Sequence, residues 1–207
     1  MAVHLDERDV YTFCMCPGGI VVPSMDSESK VLVNGMSYKN RGLENANAAI
    51  LVNVNTTDYD TLHPLSGFDF RDKYEVLNYN KGYRANIARL EDFLNHKVTT
   101  KIGSVTPSYP LGYEFKNFDE ILPKFVCDSL REAMPLFDKK MKGFNDKDAI
   151  LTSIESRSSC PVRIVRNSEL QTSIDYIYAI GEGSGYSGGI TTSAIDGIKI
   201  ALKIVNI

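Results

Sequence analysis

The sequence predicts an α+β protein with mixed α/β character. Three observations carry this. Short apolar runs broken by glycine, proline and asparagine fill the first third and return in the last. Apolar residues recur at helical spacing through the middle. The chain then closes on an apolar run, a glycine-rich loop and a further helical pattern.

In residues 9–23, Val10 to Phe13 and Ile20 to Val22 read as β-runs around a turn, with Pro17-Gly18-Gly19 as the turn chemistry. Val31 to Val33 reads as a short strand stopped by Asn34-Gly35, a hairpin-type pair. Ala48 to Val54 is a further strand. The first third is therefore expected to hold an antiparallel or mixed sheet.

From Lys81 to Asn95, Ala85, Ile87, Ala88, Leu90, Phe93 and Leu94 approximate one helical face. Residues 101–117, with two prolines, two glycines and two tyrosines, read as an ordered loop. A second helix is expected over about 118–142, opened by Pro123 and kinked or interrupted at Pro135. Together these make a small helical subdomain over about 81–142. Ala149 to Glu155 and Val162 to Val165 read as strands. Ile174 to Ile180 reads as a buried strand, and a helix follows from about Ile190 to Val205.

A chain of 207 residues fits one domain or one and a half. Apolar residues at 43% and charged residues at 24% are enough for a real core. A net charge of −3 without a basic run gives no sign of a nucleic-acid partner. No apolar stretch approaches the ~20 residues of a membrane-spanning helix. The N-terminal residues lack the apolar core of a signal peptide. Cys14, Cys16, Cys127 and Cys160 make no secreted disulfide framework, so a reducing, cytoplasmic location is expected.

The segment 181–189 holds five glycines in nine residues between an apolar run and a helix start. It reads either as a tight turn or as a place where bare N–H groups meet an anion or polarised oxygen. Cys14 and Cys16 could carry redox chemistry beside the glycine turn. The alternative is that they are small packed apolar residues. A zinc site would need two further ligands, and His4, His63 and His96 are scattered singly, so no metal centre is expected. Arg157 and Arg163, flanking Ser158-Ser159-Cys160-Pro161, could neutralise a reduced cofactor, clamp a carboxylate, or form structural ion pairs. Ser158 lacks the Gly-x-Ser-x-Gly surroundings of a hydrolase nucleophile. No Gly-x-Gly-x-x-Gly follows an early strand, so a complete dinucleotide-binding unit is absent from this sequence.

Several of these segments are familiar together. Thr12-Phe13-Cys14-Met15-Cys16-Pro17-Gly18-Gly19, Asn34-Gly35-Met36-Ser37-Tyr38, Glu155-Ser156-Arg157-Ser158-Ser159-Cys160-Pro161-Val162-Arg163-Ile164-Val165-Arg166, Gly181-Glu182-Gly183-Ser184-Gly185-Tyr186-Ser187-Gly188-Gly189-Ile190 and Ala194-Ile195-Asp196-Gly197 stand in the same order as in the uncharacterised FAD-dependent (NAD/FAD-utilising) dehydrogenases. The chain resembles the C-terminal portion of that family from about residue 9 to 203.

The resemblance implies a substrate-side domain over 1–170. Residues 171–207 would then be the last strand, loop and helix of an FAD-binding Rossmann-like domain whose N-terminal part is not in this sequence. It implies FAD as the cofactor of the intact protein, with none held by this chain alone. It places Gly181, Glu182, Gly183, Gly185, Gly188, Gly189 and Ile190 at the flavin. Glu182 would lie near the ribityl chain or pyrophosphate, and the backbone at Gly189 and Ile190 near the flavin N1/O2 side. The implied partner is the N-terminal FAD-binding segment, and the implied function is a flavin-dependent oxidoreductase, inactive as this piece. Two other readings stand beside it. One is a stand-alone anion- or nucleotide-binding module using loop 181–189. The other is a structural domain that self-associates through the surface the FAD domain normally covers.

Overall fold

The computed structural model describes residues 1–205. In chain order the elements are β1 (Ala2–His4), β2 (Asp9–Pro23), β3 (Val33–Ser37), β4 (Asn45–Val52), α1 (Ser66–Leu77), β5 (Ala85–Arg89), α2 (Leu90–Leu94), β6 (Tyr113–Phe115), α3 (Lys124–Lys140), β7 (Ile150–Ser153) and α4 (Ile190–Val205). The α+β class expected from the sequence is what these elements form. The chain divides into two compact units: Met1–Asn55 with Asp72–Ser156, and Thr56–Arg71 with Arg157–Ile207.

Unit 1 is organised by β2. It is one strand of 15 residues, where the sequence suggested two strands around a turn. One edge of β2 pairs with β4, and the other carries β1 near its start and β3 near its end, all antiparallel. The Pro-Gly-Gly segment is absorbed as bulges: the β4 register shifts between Phe13 and Cys16 and again between Cys16 and Gly19. Each shift has a left-handed residue to accommodate it, Cys14 at φ +50° and Gly18 at φ +52°. At Gly18 a Cβ would stand 1.8 Å from the Arg41 carbonyl oxygen, so no other residue fits there. Asn34-Gly35 likewise makes no turn. It lies inside β3, paired to Val22 and Val21.

A second sheet has three strands in the order β6-β5-β7, parallel on one side of β5 and antiparallel on the other. Here the helix expected from Lys81 onward is corrected. Ala85, Asn86, Ile87 and Ala88 are all buried, because β5 is a central strand covered on both faces. Such a strand is a continuous apolar run, which periodicity does not separate from a buried helix. Only Leu90–Leu94 is helical.

The long helix appears as α3, with Pro123 at its N-cap and a short 3-10 turn, Phe118–Glu120, before it. Pro135 sits inside α3 without ending it. Cys127, Ala133, Met134 and Phe137 bury one face of α3 against Val3, Val10 and Phe93.

The same unit holds a buried polar network. Asn86 Nδ2 donates to the Asn78 carbonyl at 2.9 Å, Ser153 Oγ donates to Asn78 Oδ1 at 2.8 Å, and Asn78 Nδ2 donates to the Tyr74 and Ile121 carbonyls at 2.8 and 3.1 Å. Asn80 Nδ2 closes it on Asn86 Oδ1 at 2.6 Å. Each amide is partnered, so burial costs little and the strand–helix register is fixed.

Unit 2 contains α4, whose range matches the expected helix. Around it the expected strands are absent. Val162 to Val165 and Ile174 to Ile180 form no ladder, and one isolated bridge joins Gln171 to Tyr178. A strand needs a partner for its N–H and C=O groups. Here residues 174–177 form a tight turn instead, the Ile177 N–H donating to the Ile174 carbonyl at 3.2 Å with Tyr176 at φ +62°, and Ile174, Ile177 and Ile180 are exposed. Tyr59 packs on Phe70 with ring centroids 5.3 Å apart, and Gly67 lies against Tyr59 and Pro161. The unit boundary falls within α1, an element without a clear apolar stripe in the sequence. His63 and Ser66 shape its start: the His63 N–H donates to Ser66 Oγ at 3.1 Å, and that hydroxyl donates to the His63 carbonyl at 2.8 Å.

Candidate functional site

The glycine segment of unit 2 is a shaped loop. Gly181 and Gly185 have φ of +73° and +79°, conformations that favour glycine. Between them Glu182–Ser184 form a 3-10 turn. The Gly185 N–H donates to the Glu182 carbonyl at 2.9 Å, and Ser184 Oγ donates to the Gly181 carbonyl at 2.8 Å. At Gly185 a Cβ would lie 2.4 Å from the Val162 carbonyl oxygen, so this glycine is demanded by packing.

Gly183, Gly188 and Gly189 are different. A Cβ at Gly183 would meet nothing within 4 Å, and at Gly188 and Gly189 it would be in ordinary contact, 3.9 Å from Ser159 Oγ and 3.4 Å from Thr192 Oγ1. All three are exposed. Nothing inside the unit requires these positions to be bare, and they lie before and at the start of α4.

Helix α4 leaves the N–H groups of its first turn without intrahelical partners. One donor is already used: the Gly189 N–H donates to Thr192 Oγ1 at 3.1 Å, and that hydroxyl donates back to the Gly189 carbonyl at 2.9 Å. Glu182 and Ile190 are exposed.

The loop is tied to its own unit by Arg166 and Asp196. Arg166 Nη1 and Nη2 reach Asp196 Oδ2 and Oδ1 at 2.9 and 2.8 Å, a two-pronged pair that is almost fully buried. Asp196 Oδ2 also accepts the Gly181 N–H at 2.9 Å, and Arg166 Nη1 donates to the Ala179 carbonyl at 2.8 Å. The Arg166 guanidinium lies 3.7 Å from the centroid of the Tyr186 ring. The Arg166 pairing, and then the Gly181 N–H, hold the Asp196 carboxyl below the usual carboxylate range. Sequence reading quoted both residues in motifs without giving either a role. The cue in hindsight is Asp196, the one acidic residue of α4, which takes a buried place beside Ile200.

The two candidate arginines differ. Arg163 is exposed beside the loop, its Nε donating to the Gly185 carbonyl at 3.2 Å and its guanidinium 5.0 Å from the Tyr186 ring centroid. Arg157 is half-buried and engaged with other residues of the protein.

Cys14 and Cys16 belong to unit 1, on the bulged part of β2. Cys14 is exposed and Cys16 half-buried, and neither forms a disulfide. Burial, then the nearby Glu155 carboxyl and then Cys16, push the Cys14 thiol up. Glu155 is itself raised by burial. A nucleophilic cysteine needs the opposite surroundings, a positive environment that favours thiolate. Cys127 is buried in the core, its thiol pushed up to about 12 mainly by burial. Among the described residues no group of three or more His, Cys, Asp or Glu could hold a metal ion. Among them, too, no helix is long and apolar enough to cross a membrane.

Residues 1–158 match the family described as "FAD-dependent protein, C-terminal domain-like". A protein of Clostridium beijerinckii, described as uncharacterized, is 46% identical over 203 residues, covering 96% of this chain and 38% of the relative. The chain thus spans well under half of that relative's length. The family match ends before the glycine loop, whereas an alignment covering 96% of the chain takes the loop in.

Proposed function

Because the chain belongs to the family of FAD-dependent protein C-terminal domains, we propose that it is the substrate-side and flavin-contacting part of a flavin-dependent oxidoreductase, a dehydrogenase working in the reducing cytoplasm. The observation that carries this is the glycine segment 181–189. Its exposed, sterically undemanded glycines precede a 16-residue helix, in a chain that belongs to an FAD-dependent family. These residues fit a flavin: Gly183, Gly188 and Gly189 leave backbone open to a ligand that a Cβ would hold away.

Flavin, when bound, supplies the electron-accepting and electron-donating chemistry. The chain's own residues bind and polarise. The first turn of α4 carries roughly half a positive charge and favours an anionic group before it. With the Gly189 N–H committed to Thr192, that stabilisation falls to the neighbouring donors from Ile190 onward. Glu182, exposed at the loop, would hold the ribityl chain or lie near the pyrophosphate. Arg163 offers a cation beside the same loop for a phosphate or a substrate carboxylate. Gly181 and Gly185 hold the loop's shape and do not themselves open a contact.

The partner in this reading is an FAD-binding segment, and the Clostridium relative, of which the match covers 38%, is long enough to hold one outside the matched region. On α4, Ile190, Ala194, Ile198, Leu202 and Val205 line one exposed side, opposite the buried Asp196 and Ile200. That stripe suits docking onto the flavin domain.

The test is the visible spectrum of the purified chain after FAD addition and desalting. The chain alone is expected to come through colourless. Mixed with the part of the Clostridium relative outside the matched region, it is expected to retain flavin bands. Turnover and tight flavin in the chain alone would end the fragment reading. No flavin retained even in the mixture would end the flavin reading.

A further inference from the structure

A buried ion pair is an expensive way to hold two segments together. Apolar residues of similar volume stabilise a packed site as well or better, because two charges lose their hydration on burial. Arg166 and Asp196 are such a pair, in a helix whose other inward residue is the apolar Ile200. What an apolar pair cannot do is make directed bonds to backbone. This pair makes two of them, one to the Ala179 carbonyl and one to the Gly181 N–H. Those groups flank Ile180, the residue just before the glycine loop. The same guanidinium lies over Tyr186, immediately after Gly185, so both ends of the tight turn meet one charged group.

Inside the loop, the Gly185 N–H and the Ser184 hydroxyl bond back to Glu182 and Gly181, and the Ile164 N–H donates to the Ser184 carbonyl at 3.1 Å. The positive-φ Gly181 and Gly185 are thereby held by bonds within the unit itself.

We propose that Arg166 and Asp196 are positioning residues, a clamp that sets the glycine loop in its ligand-ready shape before the cofactor arrives. This rests on the loop being the flavin contact. It assigns opposite duties to two neighbouring arginines: Arg163 faces the ligand, and Arg166 is spent on the loop. Pre-set geometry lowers the ordering cost of binding, so loss of the clamp weakens affinity without removing a ligand contact.

The experiment uses the 207-residue chain and three variants: Asp196→Asn, Arg166→Lys and the apolar pair Arg166→Met/Asp196→Leu. Amide hydrogen exchange is followed over 178–188 and, separately, over 195–203 of α4. FAD contact is followed by NMR shifts of the 181–190 amides at FAD up to about 1 mM, which detects weak binding. Loop exchange is expected to rise about tenfold, the worth of a charge-assisted hydrogen bond, with α4 exchange changed less than about twofold. The FAD-induced shifts should need correspondingly more ligand.

Unchanged loop exchange in all three variants overturns the proposal. So does equal acceleration in loop and helix, which would make the pair a general brace of the unit. If the unmodified chain shows no FAD-induced shifts alone, they are read in the mixture used for the flavin-retention test; none there ends the cofactor reading, while the exchange data still decide whether the clamp exists.

Discussion

Phe137, Ile87 and Leu90 of unit 1 are sealed from water, whereas Ile190, Ile198 and Val205 on α4 of unit 2 are 93%, 59% and 81% exposed. Both units contain an amphipathic helix of similar length, so composition does not separate them. What differs is the covering. The apolar face of α3 meets β1, β2 and β4. In α4 the face turned inward carries Asp196 and Ile200, and the richer apolar face is left outside. Unit 1 is stabilised by burial. Unit 2 is held by a buried ion pair, backbone bonds and glycine geometry, as expected of a segment that finishes its packing on another surface.

The largest effect should come from the sealed core. Phe137→Ala is expected to cost about 3–5 kcal/mol, read from urea denaturation. Gly185→Ala should cost about 1–3 kcal/mol within unit 2, from positive φ and the Val162 carbonyl, read as faster exchange of the loop. Gly183→Ala should leave that exchange alone and weaken only the flavin response. Equal stability of the two glycine variants would erase the distinction between packing glycines and open ones.

pH separates the units by sign. Asp196 has a depressed pKa in the fold, so its contribution is complete above the ordinary carboxylate range and is lost as pH falls through the depressed value. Glu155 has a raised pKa, so its neutral form favours the fold at low pH and that contribution is lost as pH rises through the raised value. Acidification should therefore free loop 181–185 while the Glu155 site tightens, and Glu155→Gln should raise the neutral-pH Tm slightly. Measured with residue-resolved exchange from pH 7 downward, a common response of both sites would merge what the structure keeps apart.

The smallest change in stability is expected from Ile198→Asp with Leu202→Asp, under about 0.5 kcal/mol because both side chains are already in water. The same variant should abolish flavin retention in the mixture with the unmatched part of the relative. A large loss of stability would mean the stripe is packed within this chain.

Much of this comparison was legible in the sequence, unevenly. Helix α4 and the body of α3 carry sustained apolar spacing and were found. Strand β7 alternates and was found. The β5 segment was read as helix because a strand buried on both faces has no alternation to show. The bulges of β2 looked like a turn, since Pro17-Gly18-Gly19 carries the same chemistry in both. The runs 162–165 and 174–180 have strand composition but join no ladder, the second because the chain turns at 174–177. At the candidate site the glycines stood out. The Arg166–Asp196 contact did not, because it joins positions thirty residues apart by geometry alone.

The two bulges of β2 also set its tolerance to length change. Phe13, Cys16 and Gly19 face Ala49, Asn47 and Asn45, so each interval of three residues on β2 matches two on β4. One extra residue turns every later side chain to the opposite face, and the second turns them back. Ile20 and Val22 thus keep the face parity of Val10 and Thr12. Losing a single residue between Phe13 and Gly19 would invert the far half of the strand and its pairing with β3. Losing one from each bulge would leave that half in phase, so indels here should be accepted in pairs.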